Sequence, residues 1–269
     1  MRSAEELERH LRGLGRVLLG YSGGVDSALL AIVGTRALGP ARFLAVIGRS
    51  ASYPEQQWRA ALEVAGAFQV PTAALDTHEL DDPRYVANAP DRCYFCKTEL
   101  WTRLGSLARA RGFDVVIDGT NADDLREHRP GLRAGLEHAV RSPLAELGWT
   151  KDDVRTASRA LGIPTWDAPA APCLSSRVRY GLPVTPERLR QVEAGEAFLR
   201  SVGVTGDLRV RHLGPAARIE TAPDQHPRVQ NAWEAVCAAF TRLGFAEVML
   251  DPAGYRRGGL LTVLAESRG

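Results

Sequence analysis

The stretch from Arg16 to Gly34, RVLLGYSGGVDSALLAIVG, constrains the fold more than any other part of this chain. Its first apolar run, from Val17 to Gly20, is short and bulky, which is typical of a buried strand. In the second run Val25, Leu29 and Val33 recur at helical spacing, which predicts a helix. The glycines between the two runs therefore lie where a strand passes into the N-terminus of a helix.

The turn Ser22-Gly23-Gly24 has the chemistry of an anion site. Unpaired backbone N–H groups and the positive end of the helix dipole favour an anion there, and two glycines let the backbone approach it closely. Ser22 and Ser27 add hydroxyl donors, so we expect the anion to be a phosphate. Asp26, in the first helical turn, suits a phosphate only if a magnesium ion joins them. The alternative is a helix start at which serine and aspartate are ordinary caps.

The sequence SGGVDS resembles the pyrophosphate loop of the ATP pyrophosphatases, a superfamily that includes NAD and GMP synthetases, argininosuccinate synthetase and tRNA-thiolating enzymes. The resemblance implies that the chain binds ATP with Mg²⁺ and cuts it between the α and β phosphates. A substrate oxygen is then adenylated while pyrophosphate leaves on the loop. The segment from Ser142 to Leu161 is similar to one that follows the ATP-binding core in the synthetases. Within it, we expect Lys151 to be a solvated helical lysine.

Composition and charge narrow the class of protein. The net charge of +2 offers no general case for nucleic acid, and no apolar run approaches the roughly 20 residues of a membrane span. The N-terminal residues, to Gly15, are charged throughout, which predicts an amphipathic helix and not a signal peptide. We expect a cytoplasmic homo-oligomer whose four cysteines are thiols or metal ligands and not disulfides.

Strand-like and helix-like segments alternate along the first part of the chain, which predicts an α/β fold with a doubly wound parallel sheet. Ligands of such sheets gather at the carboxyl ends of the strands. The segment DGTNADD follows a predicted strand, so we expect Asp118 and Asn121 to face the same nucleotide as the loop. For Asp123 and Asp124, a role at the nucleotide or its metal and a capped helix start are about equally good interpretations.

The alternation ends near residues 167–184, where prolines indicate an extended connector. Beyond it, a helix, two short strands, a second helix and a last strand, FAEVMLD, predict a small α+β domain. We expect residues 1–168 to form the ATP-binding domain, and the resemblance to the ATP pyrophosphatases implies an adenine nucleotide alpha hydrolase-like fold for it. Residues 169–184 are the predicted connector, and residues 185–269 the predicted substrate-binding or assembly domain.

Three cysteines lie in patterns that suggest chemistry. Cys93-x-x-Cys96 opens a predicted helix, and Cys173 lies in the connector close to Arg177. A single CxxC is compatible with zinc, iron–sulfur or redox uses, and with plain burial. Three thiolates with one open position fit an iron–sulfur cluster, while cations near Cys173 favour its reactive thiolate. The apolar helical neighbours of Cys237 predict a place in the core.

With SGGVDS, the segments RCYFCK, DGTNADD, APCLSSRVRYG and RVRHLGPAARIE resemble the LarE family, over roughly Glu5 to Leu264. These are ATP-dependent sulfur transferases that help make the nickel-pincer cofactor of lactate racemase. The resemblance implies that one carboxylate of a pyridinium-3,5-dicarboxylate mononucleotide is adenylated. Cys173 then displaces AMP to form a thioester, and cleavage of its Cβ–S bond leaves a thiocarboxylate on the product and dehydroalanine on the protein.

The resemblance also implies cations for the phosphate and carboxylates of this substrate, namely Arg177, Arg209 and Arg211. The last two alternate along a predicted strand and so share one face, for which a solvated face is the alternative. Glu220, at the end of the matching segment, would hold a second metal or act as a base.

Some LarE-type proteins are thought to hold a [4Fe-4S] cluster on three cysteines, with extra sulfide on the open iron. Here the ligands would be Cys93, Cys96 and Cys173. Tight ligation to iron would make Cys173 unavailable for sacrifice, so the two sulfur sources exclude each other. The three-cysteine pattern favours the cluster.

Two other functions remain open on the sequence. A tRNA-thiolating enzyme with the same loop also uses a CxxC and a third cysteine, but it should have a strongly basic surface or an added RNA-binding domain, and neither is evident. A non-catalytic nucleotide-binding or scaffold protein is the other, and the intact SGGVDS argues against it.

Overall fold

The computed structural model describes residues 2–126, 130–169 and 172–256. The chain divides into two compact units, the first formed by Met1–Asp82 and Asp91–Ala171 and the second by Pro83–Pro90 and Pro172–Gly269. Two features of this division differ from the predicted one. The segment Pro83–Pro90 belongs with the second unit, and so do residues 172–184 of the predicted connector. Residues 170–171 of the connector and 257–269 of the predicted second domain lie outside the described residues.

The strands and helices follow the predicted order. The strands are β1 (Val17–Gly20), β2 (Phe43–Arg49), β3 (Thr72–Asp76), β4 (Val115–Ile117), β5 (Leu208–His212), β6 (Ala216–Thr221) and β7 (Glu247–Leu250). The helices are α1 (Ala4–Arg12), α2 (Val25–Leu38), α3 (Glu55–Ala67), α4 (Pro83–Val86), α5 (Arg92–Arg111), α6 (Pro130–Glu137), α7 (Pro143–Glu146), α8 (Lys151–Ala160), α9 (Pro186–Ser201), α10 (His226–Asn231) and α11 (Trp233–Arg242). Within the described ranges, no helix is long and apolar enough to cross a membrane.

The first unit is built on a parallel sheet with strand order β3-β2-β1-β4. Successive side chains of β1 point to opposite faces. Leu19 packs in one hydrophobic cluster with α1 and α2, and Leu18 packs in another with Trp101 and Leu104 of α5. Helices therefore cover both faces, as predicted for a doubly wound α/β fold. Each fully buried leucine of these clusters contributes about 1.5–3 kcal/mol.

The second unit contains a mixed sheet with strand order β5-β6-β7, in which β5 and β6 are antiparallel and β6 and β7 are parallel. One face carries Val210 and Ile219, which pack in a hydrophobic cluster with Phe240 of α11. Because side chains alternate, the opposite face carries Arg209 and Arg211 of β5. The sheet therefore has one apolar face and one charged face.

The stretch predicted to be extended contains a short 3₁₀-helix, Leu174–Arg177, immediately after Cys173. Earlier in the chain, Asn88 explains why the segment Pro83–Pro90 belongs to this unit. Its side-chain amide is buried and donates to the carbonyls of Val178, Arg179 and Leu182 at 3.3, 2.9 and 2.8 Å. A buried amide that satisfies three turn carbonyls fixes the course of the chain after Cys173.

Candidate active site

The loop between β1 and α2 has a backbone that requires glycine. Gly23 has a φ of 71°, in the left-handed region, and a Cβ there would lie 2.7 Å from the Cβ of Ala61. Gly24 occupies the N-cap position of α2, where no side chain caps the first amides. The alternative in which serine and aspartate cap this helix is therefore wrong, and the helix N-terminus keeps the character of an anion site.

Hydrogen bonds fix the two serines of the loop. Ser27 Oγ donates to the Gly24 carbonyl at 3.0 Å and lies 3.1 Å from Ser22 Oγ. The Ser22 carbonyl accepts from Tyr53 Oη at 2.9 Å and from Gln57 Nε2 at 2.7 Å. Burial raises the pKa of Tyr53, which keeps its phenol protonated as a donor. Tyr53 and Gln57 are not among the residues predicted from the sequence. They follow β2 at the carboxyl edge of the sheet, where ligands of such sheets bind, and this position could have identified them.

Asp26 is the centre of the polar contacts beside this loop. Its Oδ1 accepts from Asn121 Nδ2 at 3.1 Å, and its Oδ2 forms an ion pair with Lys151 Nζ at 2.5 Å. The expectation that Lys151 is a solvated lysine is therefore wrong. The Lys151 amide, at the start of α8, donates to Asp123 Oδ2 at 2.8 Å, which anchors the helix at this edge.

The segment after β4 is organised by Asn121, which is buried. Its side-chain oxygen accepts from the amides of Asp123 and Asp124 at 3.0 and 3.1 Å, while the Asp124 carboxylate accepts from the Asn121 amide at 3.1 Å. The Asp124 carboxylate is thus a local cap, whereas that of Asp123 accepts from the Lys151 amide 28 residues further along the chain. Asp118 accepts from Ser142 Oγ at 2.7 Å and from Thr120 Oγ1 at 2.8 Å, which joins the end of β4 to the segment before α7.

The residues beside the loop fit a magnesium ion bound together with phosphates. Within each unit, the described His, Cys, Asp and Glu side chains form no group of three or more that could hold a metal by themselves. Magnesium bound to a nucleotide needs only one or two carboxylates, because phosphate oxygens and water complete its octahedron. Asp26 supplies such a carboxylate, held by Asn121 at the N-terminus of α2.

All four cysteines lie in the described part of the chain. Cys93 and Cys96 fall in the first two turns of α5, three residues apart and so on one side of the helix, as predicted. They belong to the first unit and Cys173 to the second, so neither unit alone supplies the three predicted cluster ligands. Cys237 is only partly buried on α11, which corrects the core position predicted for it.

Arg177 lies close to Cys173 within the second unit. Its buried guanidinium donates to the carbonyls of Pro172 and Cys173, the latter at 3.0 Å. It also pairs with Glu196, at 2.9 Å from Nε to Oε1 and 3.2 Å from Nη2 to Oε2. The predicted contact between Arg177 and the substrate stays a prediction, and the structure adds this set of internal partners.

The charged face of the second sheet is buried, so the alternative of a solvated strand face is wrong. Arg209 and Arg211 are 7% and 6% exposed. Arg211 Nε pairs with Glu220 Oε2 at 2.8 Å, and Arg218 Nη2 with Glu220 Oε1 at 3.0 Å. Because each Glu220 oxygen accepts from an arginine, the position predicted for a second metal ligand or base is held by an ion-pair network.

Arg209 is the buried arginine of this face that stacks on an aromatic ring. Its guanidinium lies 5.0 Å from the centre of the Tyr255 ring and donates to the Leu208 carbonyl at 2.6 Å. Burial, and then the positive charge of Arg177, lower the pKa of Arg209. An anionic ligand would relieve both effects, so Arg209 suits the recognition of a phosphate or carboxylate.

Known proteins are similar to this one over most of its length. Residues 6–97 match the NAD synthase family. An uncharacterized protein of Synechocystis sp. is 42% identical over 97% of this chain and 98% of its own length. An uncharacterized protein of Methanocaldococcus jannaschii is 31% identical, over 90% of this chain and 91% of its own length. The pyridinium-3,5-bisthiocarboxylic acid mononucleotide synthase of Lactiplantibacillus plantarum is 32% identical, over 96% of this chain and 93% of that enzyme. A likeness of that extent to the synthase, in a chain that carries the pyrophosphate loop and the cysteine segments, shows that this protein belongs to the LarE family.

Proposed function

We propose that this protein is an ATP-dependent sulfur transferase of nickel-pincer cofactor biosynthesis. Its substrate would be a pyridinium-3,5-dicarboxylate mononucleotide, one carboxylate of which it adenylates and converts into a thiocarboxylate. The observation that carries the ATP-dependent step is the contact of Asp26 with Lys151 at 2.5 Å, beside an N-terminus of α2 that no side chain caps. Family membership, through the similar synthase, supports the sulfur chemistry.

In the first step, the amides of the Ser22–Ser27 loop would bind the phosphates of ATP. Bound magnesium, held by Asp26, would neutralise charge on the phosphate oxygens. Lys151 would then leave Asp26 and donate to a phosphate oxygen, while Asn121 keeps the carboxylate oriented. The substrate carboxylate attacks the α-phosphorus, the bond to the bridging oxygen breaks, and pyrophosphate leaves on the loop.

In the second step, the adenylated carboxylate receives sulfur. If Cys173 is the source, its thiolate attacks the acyl carbon and AMP leaves with the electron pair of the C–O bond. Loss of the Cα proton then breaks the Cβ–S bond, which leaves dehydroalanine on the protein and a thiocarboxylate on the product. Arg209 and Arg211 would bind the negative groups of the substrate during both events.

The other source is a [4Fe-4S] cluster ligated by Cys93, Cys96 and Cys173, which would supply sulfide bound at its fourth iron. We propose this source, because a mechanism that sacrifices Cys173 assigns no role to Cys93 and Cys96 of α5. Cys93 is exposed and Cys96 partly buried at the start of that helix, so a cluster could reach both thiols.

Cysteine variants test the site and then the sulfur source. Cys173→Ala should still release pyrophosphate from ATP and the dicarboxylate mononucleotide but should form no thiocarboxylate, while the control Cys237→Ala should behave as wild type. Sulfur transfer by Cys173→Ala at the wild-type rate would overturn the assignment of this residue.

Cys93→Ser and Cys96→Ser distinguish the two sources in protein prepared without oxygen. If a cluster is used, each variant should lose iron, acid-labile sulfide, brown colour and sulfur transfer together. Wild type should then turn over repeatedly with added sulfide, and its mass spectrum should contain no dehydroalanine. Full activity in colourless Cys93→Ser, with loss of the mass of hydrogen sulfide at Cys173, would instead establish sacrifice.

A further inference from the structure

We propose that Arg177 is a positioning residue, which fixes the main chain on both sides of Cys173 and so sets the place of its thiol. The inference rests on the proposed function, in which either sulfur source needs the Cys173 sulfur at one defined position. It differs from the role of a substrate-binding cation, which the sequence predicts for Arg177.

The donors of Arg177 are committed to the protein itself. Nη1 lies within hydrogen-bond distance of the carbonyls of Pro172 and Cys173 and of Ser176 Oγ, and Nε and Nη2 both pair with Glu196. A guanidinium has five N–H donors, and these contacts use at least four of them. At most one donor remains, whereas recognition of a phosphate or carboxylate by arginine ordinarily uses two parallel bonds.

The two carbonyls that Arg177 holds flank the Cα of Cys173. A cation that binds both restricts the rotation of the peptide groups on either side of this residue, and hence the direction of its Cα–Cβ bond. The guanidinium is 4% exposed, so its hydrogen bonds act with little competition from water. Removal of the guanidinium would leave these carbonyls, and the carboxylate of Glu196, without their cation.

The rest of the segment is anchored in the same way. Glu196 Oε1, besides pairing with Arg177, accepts from the Val210 amide on β5 at 3.1 Å. The Ser176 carbonyl accepts from Arg211 Nη1 at 2.9 Å. The Cys173 segment is thus tied to α9 and to β5, whose arginines are the predicted contacts of the substrate. This linkage holds the thiol in register with the substrate, and a displacement of about 1 Å can cost about 100-fold in rate.

Arg177→Lys keeps the charge but loses the fork geometry, and it is the principal test. We expect kcat for thiocarboxylate formation to fall about 100-fold, KM for the dicarboxylate mononucleotide to change less than about threefold, and pyrophosphate release to be retained. Glu196→Gln, which keeps an acceptor for one of the two bonds, should show the same pattern with a smaller loss. The control Arg179→Gln removes an exposed arginine from the same segment and should leave all three quantities unchanged.

A substrate-binding role would give the opposite pattern in Arg177→Lys, with KM raised and kcat recovered at saturating mononucleotide, and that result would overturn the inference. Normal kcat and KM would overturn it as well. If Arg177→Lys does not fold, Glu196→Gln alone decides by the same split between kcat and KM. Failure of the proposed function is distinguishable, because the wild type itself would then form no thiocarboxylate from the dicarboxylate mononucleotide.

Discussion

The substitution Asp26→Asn should abolish adenylation while it leaves the fold intact. The carboxylate is the proposed magnesium ligand and the partner of Lys151, whereas the amide would keep the shape of the side chain and lose its charge. Removal of one preorganised hydrogen-bond donor to the transition state costs about 100- to 1,000-fold in rate, or about 3–4 kcal/mol, and we take the same range for this carboxylate. We therefore expect pyrophosphate release at saturating ATP and magnesium to fall by at least about 100-fold.

The cost in stability should be smaller. A hydrogen bond to a charged group contributes about 1.5–3 kcal/mol. The Lys151 side chain is 34% exposed and that of Asp26 19%, so solvent screens the pair, and we take about 1 kcal/mol for its contribution. Chemical denaturation without nucleotide measures this quantity. Asp26 and Lys151 share one ion pair. The losses of unfolding free energy in Asp26→Asn and Lys151→Met, added together, should therefore exceed the loss in the double variant by about 1 kcal/mol.

Asp152→Asn is the matched control, since this exposed carboxylate follows Lys151 on the same helix and has no proposed part in the chemistry. It should leave pyrophosphate release unchanged. Near-normal release by Asp26→Asn at saturating ATP would refute the reasoning and leave the ion pair a structural contact only. Strictly additive losses of stability in the double variant would refute the pair itself.

Four further outcomes follow from single residues. Gly23→Ala should unfold at lower denaturant and bind no ATP, because of its φ of 71° and the 2.7 Å contact of the added Cβ. Gly24→Ala, whose Cβ meets nothing closer than 3.5 Å, should keep its stability and lose ATP affinity alone, as equilibrium binding would report. Burial lowers the pKa of His212 from 6.5 to about 4, so the unfolded chain takes up this proton first as pH falls. The stabilisation is complete above pH 6.5, and about 2–3 kcal/mol of it should be gone by about pH 4.5. The stability of His212→Gln, measured by denaturation, should lack this part of the decline. Glu220→Gln leaves the buried Arg211 without its carboxylate and Arg218 with Asp251 as its carboxylate partner. It should cost about 3 kcal/mol by denaturation, and an unchanged midpoint would argue against the network.

Local signals explain what the sequence predicted correctly. The bulky run Val17–Gly20, the paired glycines and the helical spacing after them specify strand, turn and helix without help from distant residues. The start of α5 around Cys93 and the shared face of Arg209 and Arg211 follow from periods of 3.6 and 2 residues in the same way. Such patterns are properties of short windows, so the sequence by itself determined the α/β class, the strands of the small α+β domain and the position of the loop.

Only the tertiary structure decided which charges meet. Lys151 and Asp26 are 125 residues apart in the chain, and the exposed-looking pattern of α8 carries no sign that this lysine forms an ion pair. Arg177 and Glu196 likewise come together from a connector and a helix, an ion pair that no local pattern of the connector predicts. The period of a strand tells which side chains share a face but not whether another segment covers that face, and so a solvated face remained an alternative for Arg209. Charge pairing and burial depend on how separate elements pack, because the energy of a charge is set by its partners and by its distance from water.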